Sequence, residues 1–136
     1  MNHKYLPKIK KVFLFVSVIS VSLFLLFFVI SCVWIGYEVK NDCRQAKADY
    51  GGTCTESLVE LLQDESQSFS SRNSAIWALG QLGDTSVLPA LQSFYTGNIP
   101  DKEPINQVIS QYELKKAINL INGTNLTAIF WRYGVE

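Results

Sequence analysis

Histidine is almost absent from this sequence, whose 136 residues include only His3, near the N-terminus. Histidine is the commonest general base in enzymes, and a Ser-His-Asp triad cannot be built without it. Structural zinc sites need four nitrogen or sulfur ligands, and the residues after the N-terminal tail supply too few. Gly51-Gly52 is an adjacent glycine pair but forms no phosphate-binding motif. We therefore expect a protein that is not an enzyme and has no metal, cofactor or small-molecule substrate.

Charge is absent from 24 consecutive residues, Val12 to Ile35. A helix of that length would measure about 36 Å, which is enough to cross the ~30 Å hydrocarbon core of a bilayer. The run is apolar on every side, unlike a helix at the surface of a soluble domain. It predicts a transmembrane anchor over residues 12–36.

The flanking charges predict the orientation of this anchor. Residues 1–11 carry four lysines and no acidic side chain, whereas residues 37–136 hold eight basic and twelve acidic side chains. The positive-inside rule then gives a cytoplasmic basic tail, 1–11, and places everything after the anchor outside the cytoplasm. A net charge of −4 on that outer part also argues against a nucleic-acid partner.

A second interpretation of the anchor is open. The sequence VISC, residues 29–32, resembles a bacterial lipobox, in which Cys32 would become the lipidated first residue of a lipoprotein. The apolar run continues beyond it as VWIGY, and no small-x-small cleavage site follows, so we favour a retained anchor. Either way, the membrane is an expected partner.

Two cysteines follow the anchor, in the expected linker 37–54. Cys43 and Cys54 flank the turn signal Gly51-Gly52. In an oxidising compartment such a pair is expected to form a disulfide, worth roughly 2–3 kcal/mol for so short a loop. We therefore predict a Cys43–Cys54 disulfide.

Residues 55–136 show the patterns of short helices. Thr53 and Glu56 form a capping box ahead of the first, and Ser71 can cap the second, which Gly83 is expected to end in a left-handed conformation. Pro89 then falls in the first turn of the third, where a missing N–H is tolerated.

The helical units repeat. The segment SLVELLQ (57–63) matches SVLPALQ (86–92), and a long loop, TGNIPDKEPINQ (96–107), separates the latter from a helix expected over about 105–122. The segment 125–134 is read as a short final helix that Gly134 stops. Helical hairpins recurring every 30 to 45 residues are typical of α-solenoids.

The stretch AIWALGQLGD, residues 75–84, together with SVLPALQ, resembles the HEAT-like repeat of phycobilisome lyases and many bacterial scaffold proteins. The resemblance spans about 55–123. It implies an all-α fold, with a single N-terminal transmembrane helix followed by a short α-solenoid of about two HEAT-like hairpins. It also implies that Ala75, Ala78 and Gly80 let the second helix of the hairpin lie close to the first. By analogy, the membrane would be a bacterial inner membrane.

The resemblance implies an interaction protein, and two functions are open. One is a membrane-anchored module that binds another protein, and the other is a small structural subunit held in a complex mainly by its transmembrane helix. The candidate partner-binding residues are Trp77, Phe130 and Trp131, since aromatic side chains are enriched at binding hot spots. The alternative for Trp77 is packing on a neighbouring helix.

Overall fold

The computed structural model describes residues 6–132, and within this range every regular element is helical. The α-helices are α1 (Leu6–Tyr50), α2 (Cys54–Gln63), α3 (Phe69–Leu82), α4 (Leu88–Phe94) and α5 (Gln111–Asn122). Two 3₁₀ turns complete the chain, η1 (Thr85–Val87) before α4 and η2 (Thr127–Phe130) after α5. The expected all-α class is confirmed for the described part of the chain.

Helix α1 is much longer than the expected anchor. Its 45 residues would extend about 68 Å, and its N-terminal part is long and apolar enough to cross a membrane, consistent with an anchor. The segment 37–50, expected to be a linker, continues the same helix. The reason is tertiary: Val39, Cys43 and Ala46, spaced three to four residues apart, are buried in the core shared with α2 and α3.

Two contacts fix α2 to α1. The predicted disulfide is present between Cys43 and Cys54, with the Cα atoms 5.0 Å apart, so α2 begins beside Cys43. At the other end the Tyr50 hydroxyl donates to Asp64 Oδ2 at 2.6 Å. Hydrogen bonds from Ser66 and from Tyr50 lower the pKa of Asp64 to about 2, so this acceptor is charged at neutral pH.

The local signals around α2 and α3 are mostly confirmed. Thr53 and Glu56 form the capping box, and Gly83 ends α3 with a φ of +66°. The N-terminal cap of α3 is Ser68 instead of Ser71, because the Ser68 hydroxyl accepts the backbone N–H of Ser71. Pro89 lies in the first turn of α4.

Gly80 marks a close crossing of α3 and α5. A Cβ at this position would lie 2.7 Å from the Cα and 2.8 Å from the Cβ of Ala117. The close neighbour of Gly80 is thus Ala117 of α5, whereas the family resemblance implied that Gly80 would lie close to α2. The small size of Gly80 therefore permits the close approach of α5, because the side of Gly80 that lacks a Cβ faces Ala117.

The core draws on all five helices, and one charged residue joins it. Side chains buried completely include Leu58, Leu62, Ile76, Leu79, Leu91 and Leu114. Arg72 is also buried, with its guanidinium 5.8 Å from the ring centres of both Phe69 and Phe94. Its Nε donates to the carbonyl of Leu62 at 2.8 Å, where a cation is favoured by the C-terminal end of α2.

The C-terminal third differs most from expectation. Helix α5 begins at Gln111, so the expected helical start near residue 105 is wrong. Residues 127–130 form a 3₁₀ turn where a short final helix was expected over 125–134. Gly134, its expected stop, lies outside the described residues.

We predict that the native protein contains the Cys43–Cys54 disulfide and that reducing it lowers thermal stability. Breaking a disulfide that joins two residues 11 positions apart should lower the free energy of unfolding by about 2–3 kcal/mol. Mass spectrometry without reductant tests the bond, and thermal unfolding with and without reductant tests its effect. The Cys32→Ser variant provides the control, because Cys32 is a free cysteine. Free alkylation of both Cys43 and Cys54 in the native protein would contradict the prediction.

We also predict that Gly80→Ala destabilises the fold, although alanine is the better helix former. The gain in helix propensity is at most about 1 kcal/mol, whereas overpacking against a neighbouring backbone costs about 1–3 kcal/mol. Thermal unfolding of the full chain in detergent, followed by circular dichroism, measures the difference. Ser74→Ala, an exposed position on the same helix, should be neutral or slightly stabilising. Equal stability gains in both variants would show that α3 and α5 are not in close contact.

Candidate protein-binding groove

A surface groove lies between α3 and α5, and we call it the Trp77 groove. Helix α3 supplies one wall through four residues at helical spacing: Ser70, Asn73, Ser74 and Trp77. Helix α5 supplies Glu113 and Lys116, and the loop before it supplies Ile105. The groove has a volume of about 390 Å³ and is open to solvent.

Trp77 contributes to both the core and this groove. Its side chain is half-buried and packs against the core cluster, and it also lines the groove. This position is compatible with both predictions for Trp77, packing on a neighbouring helix and binding a partner, because one part of the ring is covered by the fold while another remains accessible. A large aromatic ring in such a position can offer apolar area to a partner without a large loss of side-chain entropy.

Asn73 fixes the loop that forms the end of the groove. Its side-chain amide donates to the carbonyls of Ile105 and Val108 at 2.8 and 2.9 Å. Its Oδ1 accepts the backbone N–H of Ser110 at 2.9 Å. These three bonds use the whole side chain, which is buried, and they attach the inserted loop to α3.

Glu103 and Ser110 determine where α5 begins. The carboxylate of Glu103 accepts the backbone N–H groups of Gln111 and Tyr112 at 2.8 and 3.3 Å, and also the hydroxyl of Ser110. Ser110 in turn accepts the N–H of Glu113. A carboxylate is favoured at a helix N-terminus, where free N–H groups and the helix dipole both attract it.

Charge in the groove is concentrated on α5. Lys116 forms an ion pair with Glu113 at 3.0 Å and lies 5.2 Å from the ring centre of Tyr112. Its side chain is exposed, so the pair contributes little to stability and can be exchanged for contacts with a partner.

Phe130 and Trp131 lie elsewhere in the molecule. Trp131 is half-buried, and a Cβ on Gly36 of α1 would be 2.7 Å from its own Cβ. The Phe130 ring meets Phe28 of α1 edge-on, with the ring centres 6.0 Å apart. The three candidate aromatic residues therefore occupy two sites, because Phe130 and Trp131 pack on α1 whereas Trp77 lines the groove between α3 and α5.

A model of one protein family matches part of the chain: the PBS lyase HEAT-like repeat, at residues 71–96. Neither the curated proteins nor the solved structures contain a match to the chain. The matched residues cover α3, the Gly83 turn, η1 and α4. The HEAT-like resemblance of the AIWALGQLGD and SVLPALQ segments is thus confirmed, whereas α2 and α5 lie outside the match.

Sequence analysis missed three residues that shape the groove, Asn73, Glu103 and Lys116. A signal for Asn73 was available, because it lies three residues before Ile76 and so falls on the buried face of α3. A polar side chain in that position must find hydrogen-bond partners. Glu103 gave no local signal, since its carboxylate reaches the start of a helix eight residues later.

We predict that Asn73→Ala destabilises the protein by roughly 2–4 kcal/mol, since three hydrogen bonds are lost and buried backbone groups remain unpaired. The loop over residues 99–110 should also become more susceptible to protease. Unfolding of the full chain in detergent and limited proteolysis provide the two measurements. Asn119→Ala is the matched control, because Asn119 is an exposed helical asparagine on α5. Similar stability of the two variants would show that Asn73 does not hold the loop.

Proposed function

We propose that this protein is a membrane-anchored HEAT-like repeat module that binds another protein through the Trp77 groove and has no catalytic role. The observation that carries the proposal is the groove itself, where a half-buried tryptophan and the partly exposed ion pair of Lys116 with Glu113 line the same depression. A large aromatic side chain that lines a depression together with polar and charged side chains is a common composition of a binding hot spot.

The proposal takes α2–α3 and α4–α5 as two consecutive hairpins of a short α-solenoid. The close crossing of α3 and α5 at Gly80 and Ala117 supports it, because the second helices of stacked repeats lie side by side on one surface. Two hairpins alone bury little apolar area. The distal part of α1 supplies further cover, since it packs against α2 and α3 and adds Val39 to the core.

We further propose that α1 holds the module at the outer face of a bacterial inner membrane, with the N-terminus in the cytoplasm. The lysines before the apolar run support this orientation. The Cys43–Cys54 disulfide also supports it, because such bonds persist in oxidising compartments.

Phe28 favours a retained anchor over a lipoprotein. Processing at Cys32 would remove every residue before it and would therefore remove the Phe28 ring that contacts Phe130. A structural-subunit role draws support from a different surface. Val29, Ile30, Val33, Trp34 and Tyr37 line an apolar hollow on α1 that another transmembrane helix could occupy.

We predict that Lys116→Glu abolishes capture of the partner while leaving the fold intact. Reversing this exposed charge sets it against Glu113 and changes the rim of the groove without entering the core. The full chain, expressed in membranes, is solubilised in mild detergent and isolated by an affinity tag, and captured proteins are compared by quantitative mass spectrometry.

Lys115→Glu is the matched control, because Lys115 is exposed on the same helix but does not line the groove. A protein retained by the Lys115 variant and lost from the Lys116 variant is the expected result. If both variants retain it and changes at Val33 release it, the structural-subunit function is correct instead.

A further inference from the structure

We propose that the C-terminal segment 126–131 enters the lipid bilayer beside α1, so that Leu126 and Phe130 contact acyl chains of the leaflet on the domain's side. This inference rests on the proposed membrane anchor and adds a second site of contact with the membrane. The observation that carries it is the position along α1, counted from its N-terminus, at which contact with the folded domain begins.

The large apolar side chains of α1 from Ile9 to Phe27 are all exposed, as expected for a helix surrounded by lipid. Coverage by the domain begins at Phe28, which is half-buried, and Cys32 is only 3% exposed. Both residues belong to the apolar run Val12–Ile35. The domain therefore covers part of the helix that the proposed anchor places within the membrane.

Phe28 lies within the hydrocarbon core wherever the span is positioned along the apolar run. A ~30 Å hydrocarbon core takes about 20 helical residues, whereas the apolar run Val12–Ile35 has 24. Whether the core covers the first or the last part of the run, Phe28 lies inside it, by about 4 to 10 Å. Tilting the helix adds residues to the span and leaves Phe28 inside.

Phe130 lies beside Phe28 and is mostly uncovered by protein. Its ring centre is 6.0 Å from that of Phe28, yet 69% of the residue is exposed. Leu126, at the start of η2, is 63% exposed, whereas Ala128 between them is 1% exposed. The turn therefore directs Ala128 toward the protein and Leu126 and Phe130 outward, an arrangement that is unfavourable in water and favourable in lipid.

Thr127 and the two polar residues that flank the segment, Asn125 and Arg132, hydrogen-bond to one another or to the domain. By contrast, the indole N–H of Trp131 is buried without a partner among the described residues. The Thr127 hydroxyl donates to Asn125 Oδ1 at 2.7 Å, and the Asn125 amide donates to Gln81 Oε1 at 3.0 Å. Arg132 donates to the carbonyl of Gln81 at 3.3 Å, at the C-terminal end of α3. Hydrogen-bonding side chains near hydrocarbon need such internal partners, because lipid tails offer none.

The proposal is tested with nitroxide spin labels on the full chain in vesicles of phosphatidylcholine and phosphatidylglycerol. Labels are attached to Phe130→Cys and, separately, to Leu126→Cys, each in a Cys32→Ser background with the Cys43–Cys54 disulfide intact. Power-saturation measurements with oxygen, which enriches in lipid, and with a water-soluble nickel chelate report the environment of each label. The Leu126 label keeps the test valid if removing the Phe130 ring releases the segment from Phe28.

Two further labels separate this proposal from the membrane anchor. Leu23→Cys reports the span, and Tyr112→Cys reports an exposed aromatic position on α5. We expect labels at 126 and 130 to resemble that at 23, with high oxygen access and low nickel access, and to differ several-fold from that at 112. Nickel access at 126 and 130 equal to that at 112 would overturn the proposal while leaving the anchor intact.

Low access of both reagents at 126 and 130 would also overturn it, because it would show cover by protein, such as a second copy of the chain. If the label at 23 is itself open to nickel, the anchor proposal fails, and the lipid contact fails with it.

Discussion

The packing of α2 against the distal half of α1 is the interaction on which the remaining structure depends. Val39, Cys43 and Ala46 enter the same core cluster as Leu58 and Leu62, and fully burying a side chain such as Val39 or Leu58 is worth about 1.5–3 kcal/mol. The disulfide fixes the start of α2, and the Tyr50–Asp64 hydrogen bond fixes its end. Because α1 is continuous, the same contacts that stabilise the small domain also set its position relative to the apolar part of the helix.

The Trp77 groove depends on buried polar contacts more than on apolar ones. Asn73 attaches the inserted loop to α3, and Glu103 sets the start of α5, so the residues of both groove walls are held by hydrogen bonds. Such contacts are directional, and each fails if its partner shifts by about an ångström. This explains how a loop with two prolines and several charges can still present Ile105 at one defined place.

The short helices α2 to α5 form a small domain, and two other parts of the chain pack against it. The distal part of α1 covers one side of the short helices through its contacts with α2 and α3. The residues after α5 connect α3 to α1. Asn125 and Arg132 hydrogen-bond to Gln81 of α3, and Trp131 packs on Gly36 of α1. The helix proposed as an anchor is therefore also a structural part of the domain it carries.

The sequence by itself determined the helical class, the apolar length of α1, the capping box at Thr53 and the left-handed end of α3 at Gly83. Each of these depends on neighbours within a few residues, through hydrogen bonds or through side-chain periodicity, so a local pattern is sufficient. The HEAT-like segments were also visible, because AIWALGQLGD and SVLPALQ carry their packing requirements in their own spacing.

Only the tertiary structure decided the rest. Residues 37–50 became helix because α2 and α3 cover one of their faces, and α5 began at Gln111 because Glu103 occupies its N-terminus from the preceding loop. Gly80 could be recognised as a site of close approach, but its partner Ala117 lies 37 residues later. The tertiary structure also decided that Phe130 and Trp131 pack on α1, away from Trp77 in the groove between α3 and α5. Contacts between distant parts of the chain leave no periodic signal in either part, and only folding brings the two together.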